Sequence, residues 1–341
     1  MIQSLFRRLG PRLAAFVMLA ALSLTSLVAL SGCASNSDSG PLHHLTVGLT
    51  YIPNIQFAPF YVAEALGYYK SAGLDVTLRH HGFTEGEFDA ISTGRENAIF
   101  AGGDEILQAR SKGITLKYVA EVYTQYPVAL IVPANSPIQS AADLRGHSIG
   151  IPGAYGTSYI ALLALLQSAG LSKSDVNIQT IGFTQPAALL GHKVDAVIDY
   201  VNDGVTLFQK ANFPVRTIPL QQPLVSNGIA ALDSELSAHA SDIKALVKAT
   251  LEGVQYTIAH PQKAVQLSEQ FVPGLNDPAK AADALAVLQA TIPLWQRSDG
   301  KPLGYTDPSL WQQMNSFLQA QGQLAKPMNV TQVYSNAYLP S

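Results

Sequence analysis

From Leu45 onward, short apolar runs alternate with longer stretches of helical period. "LTVGL" at 45–49, "LDVTL" at 74–78, "NAIFAG" at 97–102 and "TLKYVAEV" at 115–122 are rich in aliphatic and β-branched residues, which predicts strands. Between them the spacing predicts helices over 57–71, 85–92 and 104–111, with Gly73 stopping the first. A second alternation follows. Strands are expected at 126–133, 147–153, 176–181, 194–200 and 214–218, with helices at 157–168 and 185–190. "NGIAAL" at 227–232 reads as one more strand. Beyond Ala238 the period is helical at 241–259, 261–270, 278–296 and 308–320, and 326–341 has no period and is expected to run over the surface.

This rhythm argues an α/β chain of two lobes, each a mostly parallel sheet flanked by helices, with a helical C-terminal part. Residues 45–127 plus 223–341 form the first lobe in this reading, and 128–222 the second. The crossings near Tyr126–Ala129 and Leu224–Asn227 are the expected hinge. The order strand-then-helix places the turns that follow the strands on one side of each sheet, where open α/β sheets take their ligands.

Composition matters chiefly at the N-terminus. Arg7, Arg8 and Arg12 precede an apolar run from Leu13 to Leu30 interrupted only by Ser and Thr, the pattern of an export leader. The run ends in "LSGC", and Cys33 is the only cysteine of the 341 residues. This resembles a bacterial lipoprotein signal over 1–32, with Cys33 lipidated and 33–44 a polar tether. An uncleaved anchor with an incidental cysteine is the alternative, since the run is long enough to span. Either way the chain is expected on the extracytoplasmic face of a membrane, held there in the first reading by a lipid anchor. The rest of the chain has no disulfide, no thiol nucleophile and no cysteine metal site. Of the 21 basic residues three lie in the leader, and none of the 24 acidic ones, so the remainder is acidic at -6. That excludes a basic nucleic-acid face.

Four stretches carry candidate chemistry. In "YIPNIQF", Tyr51 and Phe57 offer apolar faces beside the amides of Asn54 and Gln56, a combination suited to a planar heterocycle. "GIPGAYGTSY" puts Tyr155, Gly156 and Thr157 at a glycine-rich helix start with free backbone N–H groups, and Thr157 reads as its N-cap. No Lys follows Gly156, which excludes a phosphate P-loop. In "AGGDEILQ", Asp104 reads as a helix cap and Glu105 as a residue able to reach a cleft. In "DAVIDYVND", Asp199, Tyr200, Asn202 and Asp203 cluster at a strand end, where a polar cleft wall is the simpler reading than acid–base catalysis. Tyr126 and Asn227 stand at the two crossings and join the candidate ligand set. His80 and His81 face opposite sides of an extended chain, which is poor geometry for a metal and leaves one of them to face a ligand. No catalytic residues, cofactor or metal are expected.

"YIPNIQFAPFYVAEALGYYKSAGLDVTL", "SAADLRGHSIGIPG" and "GHKVDAVIDY" resemble the periplasmic substrate-binding proteins of ABC importers, over about 45–318. The branch is the one that binds sulfonates and the thiamine pyrimidine precursor. Within it "IPNIQFAPFYVA", "AGGDE", "QYPVALIVP" and "GFTQPAALL" are most similar to the riboflavin-binding members. Pyrimidine binders carry Trp and His in the first motif, whereas Tyr51 and Gln56 stand here. The resemblance implies a monomer of the two-lobed periplasmic binding protein fold (type II-like) that closes on its ligand and docks on a membrane permease. The ligand it implies is riboflavin or a similar flat heterocycle; a thiamine pyrimidine or a sulfonate is the alternative. An exported enzyme of heterocycle metabolism is the third reading, although the cysteine-rich motif of the fungal pyrimidine synthases is missing. Trp295, in the C-terminal helical part, is a candidate second aromatic face for the ligand, or else a core tryptophan.

Overall fold

The computed structural model describes residues 41–81, 86, 88–222 and 224–340. The leader, Cys33, the tether at 34–40, and Glu85 and Glu87 of the helix expected at 85–92 lie outside the described residues. Leu42–Ser341 forms one compact unit.

Among the described residues ten strands make two five-stranded sheets. β1 (His43–Leu49), β2 (Leu74–His80), β3 (Ala98–Gly102), β4 (Leu116–Glu121) and β10 (Asn227–Leu232) form the first, in the order β2-β1-β3-β10-β4. β5 (Val128–Pro133), β6 (Ser148–Ile151), β7 (Asn177–Thr180), β8 (Ala196–Tyr200) and β9 (Val215–Ile218) form the second, in the order β7-β6-β8-β5-β9. Four strands of each sheet point the same way. The fifth, β10 or β5, is inserted antiparallel between two of them. Each inserted strand is the first one laid down after the chain crosses between sheets. β3 is buried along its whole length, as a central strand covered on both faces must be.

The two crossings run side by side. The N–H groups of Val122 and Tyr123 both donate to the Asn227 carbonyl at 3.0 Å, and Ser226 Oγ donates to the Gln125 carbonyl at 3.1 Å. Backbone pairing between two single-stranded connections gives a flexure line with little side-chain bulk to resist it.

The sequence pattern and the structure differ in three informative places. β1 begins at His43, so the last two residues assigned to the tether belong to the sheet, paired with Leu74 and Asp75. Their imidazoles stand outward against Asp242 and Asp75, at 2.9 and 3.0 Å; backbone pairing, not apolarity, recruits them. The single helix expected over 57–71 is a 3-10 turn at Ile55–Phe57 and two helices, Ala58–Ala65 and Tyr68–Ser71. Gly67 separates these two at φ +72, a left-handed conformation cheap only for glycine. A helix over Val201–Lys210 follows β8 without a break. Its Val, Thr, Gly and Asn are weak helix formers, and tertiary packing against Pro278–Trp295 holds it instead.

The helix Ala58–Ala65 lies against Ala240–Ala259 at Gly253, where a Cβ would come within 2.1 Å of the Pro59 carbonyl oxygen. That close approach pins the segment carrying Tyr51–Phe57 to the body of the first lobe. Over its described residues, 326–340, the C-terminal segment runs as expected without long elements: two 3-10 turns and one bridge from Tyr334 to Tyr118. No helix among the described residues is long and apolar enough to cross a membrane.

Candidate ligand-binding site

A cavity of about 540 Å³ opens between the lobes, outside the carboxyl ends of the parallel strands of both sheets. The first lobe supplies Thr50, Tyr51, Ile52, Gln56 and Phe57 after β1, His81 after β2, Phe100 and Glu105 around the end of β3, Tyr123 after β4, and Asn227. The second supplies Pro152 and Tyr155–Ser158 after β6, Phe183, Gln185 and Pro186 after β7, Asp199 and Tyr200 at the end of β8, and Asp203 and Leu207 beyond it.

Aromatic rings form the apolar walls. Tyr51 of the first lobe meets Phe183 of the second edge-to-face at 5.5 Å, so the pair spans the cleft. Behind them Phe57 packs on Phe100 at 5.9 Å, Phe100 on Tyr123 at 6.2 Å, and Tyr123 on Trp295 at 5.8 Å. The position of Tyr51 is fixed from its backbone. His80 Nδ1 donates to the Tyr51 carbonyl at 3.0 Å, and His80 Nε2 accepts from the Tyr61 hydroxyl at 2.8 Å. Both ring nitrogens of His80 are thereby used, and burial lowers its pKa. His81, one residue on, turns to the cavity.

The polar part of the cavity is rich in acids. Glu105, Asp199 and Asp203 border it, and no Lys or Arg stands among the described lining residues. Asp199 is nearly buried; burial pushes its carboxyl up to about 7, against the Tyr200 N–H that donates to it at 2.9 Å and together with the Asp203 charge. Burial raises Asp203 as well. Tyr51 is pushed up to about 12, first by burial and then by the charges of Asp203 and Asp199. These carboxylates therefore face the Tyr51 side of the cleft from the opposite lobe.

Several sequence-predicted site residues stand elsewhere. Asn54 caps the 3-10 turn, its Oδ1 accepting from the Gln56 N–H at 3.1 Å, and it does not line the cavity. Asp104 is fully buried inside the first turn of the helix Gly103–Ser111, with Gly102 at the N-cap position; burial and the neighbouring Glu105 charge raise its pKa well above the usual carboxylate range. Glu105 reaches back over the helix start, accepting from the Gly102 N–H at 2.7 Å. Tyr126 is turned beneath the cleft floor, its hydroxyl donating to the Thr157 carbonyl at 3.1 Å. The helix Gly156–Ser168 starts one residue before Thr157, so Tyr155 holds the N-cap position and Thr157 lies within the first turn. Asn202 points away to Thr291, with Nδ2 donating at 2.8 Å, because the unbroken turn from β8 into the helix rotates it to the opposite side from Asp199 and Asp203. Trp295 is fully buried in the first lobe's core, so it backs Tyr123 and offers no face to a ligand.

Tyr51, Gln56, Phe57, Glu105, Tyr155, Gly156, Thr157, Tyr200 and Asn227 are brought together as cavity residues. Phe100, Tyr123, Phe183, Gln185 and Leu207 escaped the sequence reading. The signal available for Phe183 and Gln185 was their place in the turn after a predicted strand, the same signal that marks Tyr51.

The NMT1/THI5 like family model matches residues 54–264. The chain belongs to that family. It is 36% identical over 307 residues to the riboflavin-binding protein RibY of Chloroflexus aurantiacus, covering 88% of this chain and 87% of that protein. It is 24% identical to the formylaminopyrimidine-binding protein of Halalkalibacterium halodurans, covering 92% and 96%. The periplasmic aliphatic sulphonate binding protein SsuA of Escherichia coli superposes with a TM-score of 0.68 at 16% identity, covering 85% of this chain and 91% of that one. This NMT1/THI5-like chain therefore has the periplasmic binding protein fold. Members of one family and fold take ligands as different as a flavin, a pyrimidine and a sulfonate, so the cavity's own chemistry must decide between them.

Proposed function

We propose that this protein is the solute-binding component of an ABC importer and captures riboflavin, or a flavin close to it, between its lobes for delivery to a membrane permease. It acts as a monomer without turnover, tethered to the extracytoplasmic face of the membrane by a lipid on Cys33. The observation that carries the ligand is the charge and surface of the cavity: aromatic walls from both lobes, three carboxylates, and no Lys or Arg among the described lining residues. A sulfonate entering beside Glu105, Asp199 and Asp203 would meet like charge with no cation to offset it. A neutral ring system with a hydroxylated chain suits both parts, stacking on the aromatics and donating its hydroxyls to the carboxylates. The identity to RibY supports the same ligand. A pyrimidine would use the acidic wall but leave much of a 540 Å³ cavity unfilled.

Titrating riboflavin fluorescence with purified protein tests the proposal, alongside thermal shift with FMN, an aminopyrimidine and an alkanesulfonate. Riboflavin should be quenched and should stabilise the protein, and should be recovered unchanged after prolonged incubation. The added phosphate of FMN should weaken binding at least tenfold, since its charge meets the same carboxylates. Stabilisation by the sulfonate or the pyrimidine with flavin fluorescence untouched would sink it.

A further inference from the structure

The helix Val201–Lys210 belongs to the second lobe, between β8 and β9, yet it serves three surroundings. Asp203 and Leu207, one turn apart, border the cavity. Phe208 is buried in the second lobe's core. Val201 and Asn202 instead reach the first lobe. Val201 packs against that lobe's core, and Asn202 Nδ2 donates to Thr291 Oγ1 of the helix Pro278–Trp295 at 2.8 Å. Both residues of that bond are 0% exposed. Thr291 donates its own proton to the Val287 carbonyl at 2.7 Å, so its oxygen is left to accept and the Asn202 amide must be the donor. About two turns further on, Lys210 pairs with Asp283 of the same first-lobe helix. The two helices therefore run antiparallel across the boundary between the lobes, from 202 against 291 to 210 against 283.

The pair starts beside the crossings, where the Thr124 N–H donates to the Leu294 carbonyl at 2.7 Å, and runs outward along one flank of the cleft. On that flank the first-lobe helix also backs the Ile55–Phe57 turn, whose Gln56 and Phe57 line the cavity. Rotation of the lobes about the crossings would draw the two helices apart and bring water to Asn202 and Thr291. The crossings themselves resist bending little, so the helix pair is what resists it. A buried polar pair suits a contact that must break and re-form, because water replaces the lost partner of each group. An apolar pair in its place would oppose every opening by its full burial. We infer that Asn202 and Thr291 are positioning residues whose hydrogen bond latches the lobes over the cavity. The latch sets the fraction of protein that stands closed and ready for ligand, and apparent affinity scales with that fraction. Its effect on binding rests on the flavin reading of the site; the latch itself does not.

Energy transfer between dyes on the two lobes, at Lys193→Cys and Lys248→Cys in a Cys33→Ala background, reads the lobe arrangement; both lysines are exposed. Thr291→Val keeps the branched shape and removes the acceptor, and Asn202→Ala removes the donor. Without riboflavin each variant should show lower transfer than the unaltered protein, and at saturating riboflavin the same transfer. By stopped-flow fluorescence each should bind riboflavin about two- to tenfold more weakly. Association should be faster as well as dissociation, because an open cleft is entered more readily. The double variant should be no weaker than the weaker single one, since the same contact is lost. Unchanged transfer in both variants without riboflavin overturns the inference. So does weaker binding in which dissociation alone is quickened, which is the mark of a merely structural role. If the unaltered protein binds no riboflavin, the flavin reading fails, and transfer in the riboflavin-free variants still decides the latch. Loss of cooperative melting in both variants also overturns it, since breaking a contact between lobes leaves each lobe's own core intact.

Discussion

Replacing Asp199 by asparagine separates what the carboxyl does to the empty protein from what it does for a ligand. Burial raises this group from 3.8 to about 7 in the folded chain. Between those values the folded protein keeps a proton that the unfolded chain has released, so stability falls as pH rises from about 4 to about 7 and is level above. A shift of about three units at 1.36 kcal/mol each corresponds to about 4 kcal/mol. About half of that falls between pH 5.5 and 7, so the melting temperature should be a few degrees higher at pH 5.5 than at pH 8. The Asp199→Asn side chain would keep an acceptor for the Tyr200 N–H and would not titrate. The variant should melt above the unaltered protein at pH 8, and the gap should narrow toward pH 5. Glu121, raised by burial to about 7 despite its ion pair with Arg297, contributes a similar slope in both proteins and cancels in the comparison. Riboflavin affinity should move the other way, weakening as the protein is acidified below about pH 7, because a neutral carboxyl is a poorer acceptor for hydroxyl groups. Scanning calorimetry across pH 5–8.5 reads the first effect and fluorescence titration the second. An Asp199→Asn variant with the same pH slope of melting temperature as its parent would refute the argument that burial raises this carboxyl.

Other substitutions probe separate links. Tyr51→Ala should weaken riboflavin binding about tenfold by loss of stacking, with a melting temperature within about 2 °C of the parent because the ring is only half-buried; unchanged affinity in a fluorescence titration would remove Tyr51 from the site. Gly253→Ala should destabilise the fold by about 1–3 kcal/mol in urea unfolding. The overlap with the Pro59 carbonyl outweighs the gain of about 1 kcal/mol that alanine brings to a helix, and a stabilised variant would show that the two helices part easily. Cys33→Ala should shift the protein from the membrane fraction to the soluble one, whereas retention would favour an uncleaved anchor.

The α/β alternation was legible because strand and helix differ in hydrophobic period, and all ten strands fall within three residues of the apolar runs that predict them. The helix at Val201–Lys210 was not legible, since its residues favour it only once Pro278–Trp295 is beside it. Site residues were legible where a turn follows a strand, as with Tyr51 and Thr157, because fold geometry sends such turns to the cleft. Asn54 was misread because an amide in a turn can cap or bind: it caps the 3-10 turn and stays out of the cavity, whereas Glu105 caps and also reaches the cavity, as expected. Whether Trp295 faces a ligand or a core depends on contacts with Tyr123 from far along the chain, which no local pattern encodes.

The antiparallel strand inserted in each sheet also bears on the order in which the chain can fold. The second sheet draws all its strands from one continuous stretch, Val128–Ile218. The first cannot be completed until Asn227–Leu232 has emerged, and β4, at its edge, is joined to the sheet through that strand and otherwise meets the later Tyr334 bridge. A chain delivered N-terminus first therefore carries its earliest lobe open, with β3 and β4 unpaired along one side, while the later lobe is already able to close. Stable burial of the first core is deferred until two-thirds of the polypeptide has emerged, so for most of its synthesis the chain has one lobe able to close and one that is not.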